Sequence, residues 1–171
     1  MNLAKKVVLI TGASDGIGAA CVQAFLHNGA FVSMLSLPSE NFKSGEFSTA
    51  TLQTAGDITK AKTREETVCR TLDRFGRIDI LVNNVGVGQY SWPSEVDTDV
   101  SKRMFDVNVF APLALTQLVI PEMRKRESGT IVNLGSIGGK VSLPWAVPGG
   151  HPKSPTCGHL KIPHPTVAFQ A

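Results

Sequence analysis

The stretch from Val7 to Gly18, VVLITGASDGIG, limits the fold more than any other part of the chain. Val7 to Ile10 is an unbroken apolar and largely β-branched run. Such a run suits a strand buried on both faces, as in a parallel sheet. A polar, glycine-rich turn follows, Thr11 to Gly18. Ile17, Ala20, Cys21, Ala24 and Phe25 then recur at helical spacing and predict a helix with one buried stripe. Asn28 and Gly29 end that helix with residues that tolerate left-handed backbone. Ala30 to Leu35 predicts the next strand. The unit is therefore strand, glycine turn, helix, strand.

The alternation continues. Pro38 to Thr51 is rich in Ser, Gly, Lys and Glu and predicts a short helix or mostly loop. Leu52 to Ala55 predicts a third strand, leading into GDIT, Gly56 to Thr59. Arg64 to Phe75 sets Val68, Leu72 and Phe75 on one helical face. Ile78 to Val82 predicts a fourth strand, followed by NNVG, Asn83 to Gly86. A long helix is expected over Ser101 to Met123, bent at Pro112 or with a carbonyl freed near it. Thr130 to Leu134 predicts the fifth strand. Strands alternating with helices at this spacing imply an α/β fold, a Rossmann-type doubly wound parallel sheet with right-handed crossovers.

The chain has 171 residues, enough for one domain with its own core. Its formal charge is only +3, and the lysines and arginines are interleaved with acids. No basic stripe points to nucleic acid. Cys21, Cys69 and Cys157 are far apart and odd in number, which fits a reduced, cytoplasmic setting. The apolar run at the start is too short for a signal peptide. No run approaches the ~20 apolar residues of a membrane span, so a soluble chain without a membrane partner is expected.

The composition changes near Val147. Residues 1–147 read as a nucleotide-binding domain of Rossmann type. Residues 148–171 carry five of the ten prolines and three of the four histidines, with no Asp or Glu. That composition reads as a disordered Pro/His/Gly-rich tail. His151, Cys157, His159 and His164 stand close in sequence, but their spacing departs from that of structural zinc sites, and no metal is expected.

Gly12, Gly16 and Gly18 are spaced G-x-x-x-G-x-G. A glycine turn after a buried strand lets the backbone approach a pyrophosphate, and the helix start offers N–H groups and positive dipole. The alternative is a tight strand-to-helix turn with no ligand.

TGASDGIG, GDIT, NNVG, Asn108 within MFDVN, and IVNLGS follow one another in an order and spacing that resembles the short-chain dehydrogenase/reductase family. The resemblance covers Lys5 to about Ala146. It implies a sheet that binds NAD(H) or NADP(H) and moves hydride to or from a small-molecule carbonyl or alcohol. By resemblance, Gly12, Ser14, Asp15, Gly16, Ile17 and Gly18 form the pyrophosphate loop. Asp57 and Ile58 correspond to adenine contacts, and Val107 to a residue lining the adenine pocket. Asn84, Val85 and Gly86 correspond to the wall near the adenine and its ribose, with Val85 where the family usually has Ala. Ser136 resembles the serine that hydrogen-bonds the substrate oxygen. Asn108 resembles the asparagine that distorts its helix and holds a water for proton relay. Local readings stand beside these: Asp57 capping a turn, Ser136 bonding its own backbone, and Asn108 on a helix surface.

In NAD enzymes an acidic residue about 20 positions beyond the glycines binds the ribose 2′-hydroxyl. Here that position is Ser36, followed by Leu37, and neither is an acid or an arginine. Ser36 repels a 2′-phosphate less than an aspartate would, and Lys43 lies close in sequence, whereas Asp15 brings negative charge to the loop. The cofactor is NADP or NAD, with the lean toward NADP.

The family's chemistry uses a Tyr and a Lys four residues apart on one helical face, with the tyrosine as general acid or base. Spacing from Ser136 puts the tyrosine at position 149, which is Gly149. Lys153 stands at the lysine position, but Gly149, Gly150, Pro152 and Pro155 oppose a helix there. Tyr90 is the chain's sole tyrosine and has Ser94 four residues on. Nothing after Val147 reads as the family's further helices and parallel strands, so the sheet is expected to lack its C-terminal strands. The fifth strand is then an open edge, and the homo-oligomer contact implied by the family is compromised. Two readings follow: a C-terminally truncated or altered reductase with impaired or no catalysis, or a non-catalytic nucleotide-binding or interaction module.

Overall fold

The structure is a computed structural model and describes residues 2–88, 93–136, 159–162 and 168–170. Strand β1 (Val7–Thr11) is buried along its whole length, as an apolar run between two sheet faces requires. Helix α1 (Gly16–His27) follows the glycine turn, and β2 (Phe31–Ser36) returns parallel to β1 with Val7 opposite Phe31. β3 (Gly45–Ser48) and β4 (Thr51–Ala55) form a hairpin, and β4 also pairs parallel to β2. Helix α2 (Ala61–Phe75) leads to β5 (Ile80–Asn83) on the other side of β1. Helices α3 (Thr98–Phe105) and α4 (Ala111–Lys125) flank a π-helical segment, Asp106–Phe110, and β6 (Gly129–Asn133) pairs parallel to β5.

The strand order is β3-β4-β2-β1-β5-β6-β7-β8. Its parallel part, β4-β2-β1-β5-β6, is the expected doubly wound sheet. Strand alternation sends Leu9, Leu35, Leu81 and Ile131 to one face, under Val68 of α2 and Leu115, Val119 and Met123 of α4. It sends Val8, Ile10, Val32, Met34, Ile80 and Val82 to the other face, with Val22 of α1 and Phe42. On β6 the two faces differ: Ile131 is buried, while Val132 is only half-buried.

Four sequence expectations are revised. Residues 38–51, expected as a short helix or mostly loop, carry one four-residue strand: β3 is set by its pairing with β4, and the turn is held by the Ser48 and Thr51 hydroxyls 2.8 Å apart. The buried stripe of α1 is displaced by one residue. Gly18 and Val22 are buried, with Cys21, Phe25 and Leu26 packed beside them, while Ile17 is 65% exposed. Apolar counting passed over Gly18, which faces inward because it has no side chain.

The long helix is continuous over Thr98–Lys125 and, by length and composition alone, apolar enough to cross a membrane. Its inner positions Ala111, Leu115, Val119 and Met123 are buried against the sheet, as in the core helix of a packed domain. The distortion lies at 106–110, where the Ala111 N–H donates to the Asp106 carbonyl five residues back.

The fourth revision concerns the edge. β6 is not left open: β7 (His159–Ile162) pairs antiparallel with it, and β8 (Ala168–Gln170) pairs antiparallel with β7. The stretch read as a disordered tail thus supplies two strands. Among the described residues, no further parallel strand follows β6.

Candidate functional site

The carboxyl ends of β1, β2, β4 and β5 converge where the chain turns from one side of β1 to the other. Ligands of open α/β sheets bind at such a switch point. A cleft with about 60 Å³ of open volume lies there.

The glycine loop is held by a knot of short contacts. Gly12 has φ +64°, and its N–H donates to the Leu35 carbonyl at 2.8 Å. Asn84 turns its amide inward and donates to the carbonyls of Thr11 (2.9 Å) and Gly12 (3.0 Å). The Thr11 hydroxyl accepts from the N–H groups of Asn84 and Val85 at 3.0 and 3.1 Å. A Cβ at Gly18 would lie 1.9 Å from the Gly12 carbonyl oxygen, so only glycine lets α1 start this close to the loop. Gly16 has φ +53°, yet a Cβ there meets nothing within 4 Å. The space above the helix start is therefore open, and the N–H groups of Ile17 and Gly18 have no helical carbonyl to donate to. Asp15 caps the helix by accepting from the Gly16 N–H at 2.6 Å. This cradle fits an anionic group such as a pyrophosphate.

Ser36 ends β2 and is buried; its hydroxyl lies 2.7 Å from that of Ser14. Asp57 follows β4. Its Oδ1 accepts from the N–H and the hydroxyl of Thr59 at 2.9 and 2.8 Å, and its Oδ2 from Arg103 Nη2 at 2.9 Å. The turn-capping reading of Asp57 is thus realised, alongside its place in the cleft wall. Burial pushes the Asp57 carboxyl up, but the Thr59 N–H, the Arg103 guanidinium and the Thr59 hydroxyl together hold it below the ordinary aspartate value.

The cleft gathers Gly12, Ser36, Asp57, Ile58, Val85 and Val107 from five separate segments. Ile58 and Val107 are both buried, and Ile58 also belongs to the core. Ser14 joins the group through Ser36, while Asn84 braces the loop from behind. Gly86 is exposed. Asn108 is buried in the π-helical segment, with both amide atoms on Val87: Nδ2 donates to its carbonyl at 2.7 Å and Oδ1 accepts from its N–H at 2.8 Å. The surface reading of Asn108 is excluded. Pro112 has no N–H to give the Asn108 carbonyl four residues earlier. Ser136 is half-buried, three residues past the end of β6. Tyr90, Gly149 and Lys153 lie outside the described residues.

The sequence model of the short chain dehydrogenase family matches residues 6–150. This chain belongs to that family. An uncharacterized oxidoreductase of Thermotoga maritima is 35% identical over 152 residues, which cover 84% of this chain and 59% of that protein. The L-fucose dehydrogenase of Bos taurus is 33% identical over 147 residues, 85% of this chain and 54% of its own length. Among solved structures, a 3-ketoacyl-(acyl-carrier-protein) reductase from Brucella melitensis, complexed with NADH, superposes with a TM-score of 0.78 at 31% identity. That match covers 84% of this chain and 62% of the reductase. This chain thus spans roughly half of the length of the curated relatives it matches.

Sequence reasoning missed Thr11, Thr59, Val87 and Arg103. Thr11 and Thr59 stand inside the quoted motifs, and a count of hydroxyls beside the glycine and aspartate turns would have marked them. Arg103 is 46 residues from Asp57, and no local pattern links the two.

Proposed function

We propose that this chain binds a nicotinamide adenine dinucleotide in the cleft at the carboxyl ends of β1, β2, β4 and β5, as an oxidoreductase-type scaffold. The observation that carries the reading is the loop knot. A Cβ at Gly12 would lie 2.9 Å from Asn84 Nδ2 and one at Gly18 1.9 Å from the Gly12 carbonyl oxygen, while a Cβ at Gly16 meets nothing within 4 Å. When bound, the nicotinamide supplies or accepts hydride. The chain's own groups hold the pyrophosphate on the helix start, the adenine against Asp57, Ile58 and Val107, and the ribose against Asn84, Val85 and Gly86. Ser136 binds the oxygen of a small carbonyl or alcohol substrate, and Asn108 contributes through its backbone carbonyl.

Ser36 and the absence of an acid at the end of β2 support NADP over NAD. The 171 residues hold no Tyr-x-x-x-Lys. Losing a general acid–base group costs about 100- to 10,000-fold in rate, so the chain binds cofactor with little or no turnover. Titration with NADPH and NADH by calorimetry, beside a carbonyl-reduction assay, tests both parts. Binding without turnover is the expected result. A folded sample that binds neither dinucleotide overturns the reading, and turnover at rates ordinary for enzymes overturns the claim of impaired catalysis.

A further inference from the structure

Asp15 and Asn28 both precede a glycine in the sequence. Asp–Gly and Asn–Gly bonds can close into a cyclic succinimide, because a glycine nitrogen has no side chain beside it to block approach. Closure needs that nitrogen swung toward Cβ and Cγ of the residue before it. The two sites differ in this geometry. At Asn28, ψ is 14°, which nearly eclipses the Gly29 nitrogen with the Asn28 nitrogen and turns it away from Cβ. Both reacting groups are also tied to α1: Asn28 Nδ2 donates to the Ala24 carbonyl at 2.8 Å, and the Gly29 N–H to the Leu26 carbonyl at 2.9 Å. At Asp15, ψ is 169°, which sets the Gly16 nitrogen gauche to Cβ. That nitrogen lies 2.6 Å from Asp15 Oδ1. Cγ is one bond from that oxygen, so the reacting pair stands close to the roughly 3–3.5 Å of a near-attack contact. Asp15 and Gly16 are exposed, and the space beside Gly16 is open to 4 Å.

We infer that Asp15 is a spontaneous modification site: the folded glycine loop converts it to isoaspartate. The Gly16 nitrogen forms a bond to Cγ. A Cγ–O bond breaks, and its oxygen leaves as water with the nitrogen's proton and one from solvent. Water then opens the succinimide at the main-chain carbonyl and returns that proton, so the net change is an isomerisation that consumes nothing. The main chain now runs through Cβ and Cγ, one carbon longer, and the old main-chain carboxyl becomes the side group. The extra link adds about 1.5 Å of chain between the loop and the start of α1, where Gly18 packs directly on the Gly12 carbonyl. Isomerisation therefore breaks the cradle. Its effect on binding rests on the dinucleotide reading above; the chemistry does not.

The test ages the full chain at neutral pH, folded and in urea, and maps isoaspartate by methyltransferase labelling and peptide mass spectrometry. Asp15 is expected to gain label at least as fast folded as unfolded. Asn28 is expected to gain it more slowly when folded, because its closure waits for the last turn of α1 to open. Asp15→Ser, which keeps an N-capping hydroxyl but has no carboxyl to close, should lose the label from that peptide alone. Folding that slows Asp15 as much as Asn28 overturns the inference, as does label in that peptide of Asp15→Ser. NADPH titration of fresh and aged wild-type chain reads the consequence. The isomerised fraction should bind roughly tenfold or more weakly, as for loss of one charge-assisted hydrogen bond, while Asp15→Ser keeps on ageing whatever affinity it has when fresh. Equal binding by the isomerised chain overturns the damage to the cradle. A fresh folded chain that binds neither NADPH nor NADH overturns the dinucleotide reading, and the labelling result then still decides the chemistry.

Discussion

Asn108 grips the backbone of Val87 at both ends, donating to its carbonyl at 2.7 Å and accepting from its N–H at 2.8 Å. The bond pair fastens the loop after β5 to the π-helical segment between α3 and α4. Truncation to Asn108→Ala leaves both Val87 groups without their partner. Val87 is 45% exposed, so water replaces part of the loss. The expected cost is about 1–2 kcal/mol in urea unfolding. A variant as stable as the wild type would show that the loop is held by other contacts.

Gly16 and Gly18 are expected to fail in different ways. Gly18→Ala drives a Cβ into the Gly12 carbonyl, 1.9 Å away, and that carbonyl is backbone. A cost of about 4 kcal/mol or more is expected, a large part of a domain's total stability. Gly16→Ala meets no atom and pays only for its φ of +53°, about 1 kcal/mol. Its new methyl projects into the space assigned to the pyrophosphate. Denaturation should therefore single out Gly18, and dinucleotide titration should show Gly16→Ala folded but weakened in binding.

Ile131 reports on the sheet edge. Its neighbours Thr130 and Leu134 donate toward β5, to the carbonyls of Asp79 and Asn83. Alternation therefore points the Ile131 N–H the other way, toward Leu160 in β7. Hydrogen exchange at Ile131 should be slow in the wild type. Leu160→Pro removes a ladder N–H and disfavours the strand, so the Ile131 amide should then exchange faster while Leu9, in the sheet centre, stays protected. Equal exchange at Ile131 in both chains would remove β7 from the edge.

Asp57 sets a pH response. Its carboxyl lies below the ordinary aspartate value; burial opposes this, and the Thr59 and Arg103 donors outweigh it. A carboxyl whose folded value is depressed adds stability above its unfolded value and loses it as pH falls through the folded one. Carboxyl-carbon NMR of Asp57 should give a midpoint below that of an unfolded aspartate. In Arg103→Ala two lowering contributions vanish, so the midpoint should rise and the acid-dependent loss of stability should shrink. An unchanged midpoint would show that Arg103 does not act on this carboxylate.

Much of the fold was legible because it depends on local pattern. β1, β2, β4, β5 and β6 lie where apolar runs end at glycine or polar turns, and each was found within two residues. The family motifs fall at the carboxyl ends of those strands, where the sheet brings Gly12, Ser36, Asp57, Ile58, Val85 and Val107 to one cleft. β3 was missed because a four-residue strand has too little pattern of its own, and its register comes from β4. The α1 stripe was misplaced because a buried glycine leaves no hydrophobic mark.

Apolar periodicity and glycine spacing, read along the chain alone, determined the order of the elements, the doubly wound parallel sheet and the place of the glycine loop. They act over a few residues, so no tertiary partner is needed to read them. Only the tertiary structure decided that Arg103 reaches Asp57, that Asn108 binds Val87 and that β7 covers β6. Each of these joins groups more than 20 residues apart through polar side chains or bare main chain. Hydrogen bonds of that kind depend on where atoms meet in space and leave no period in the sequence.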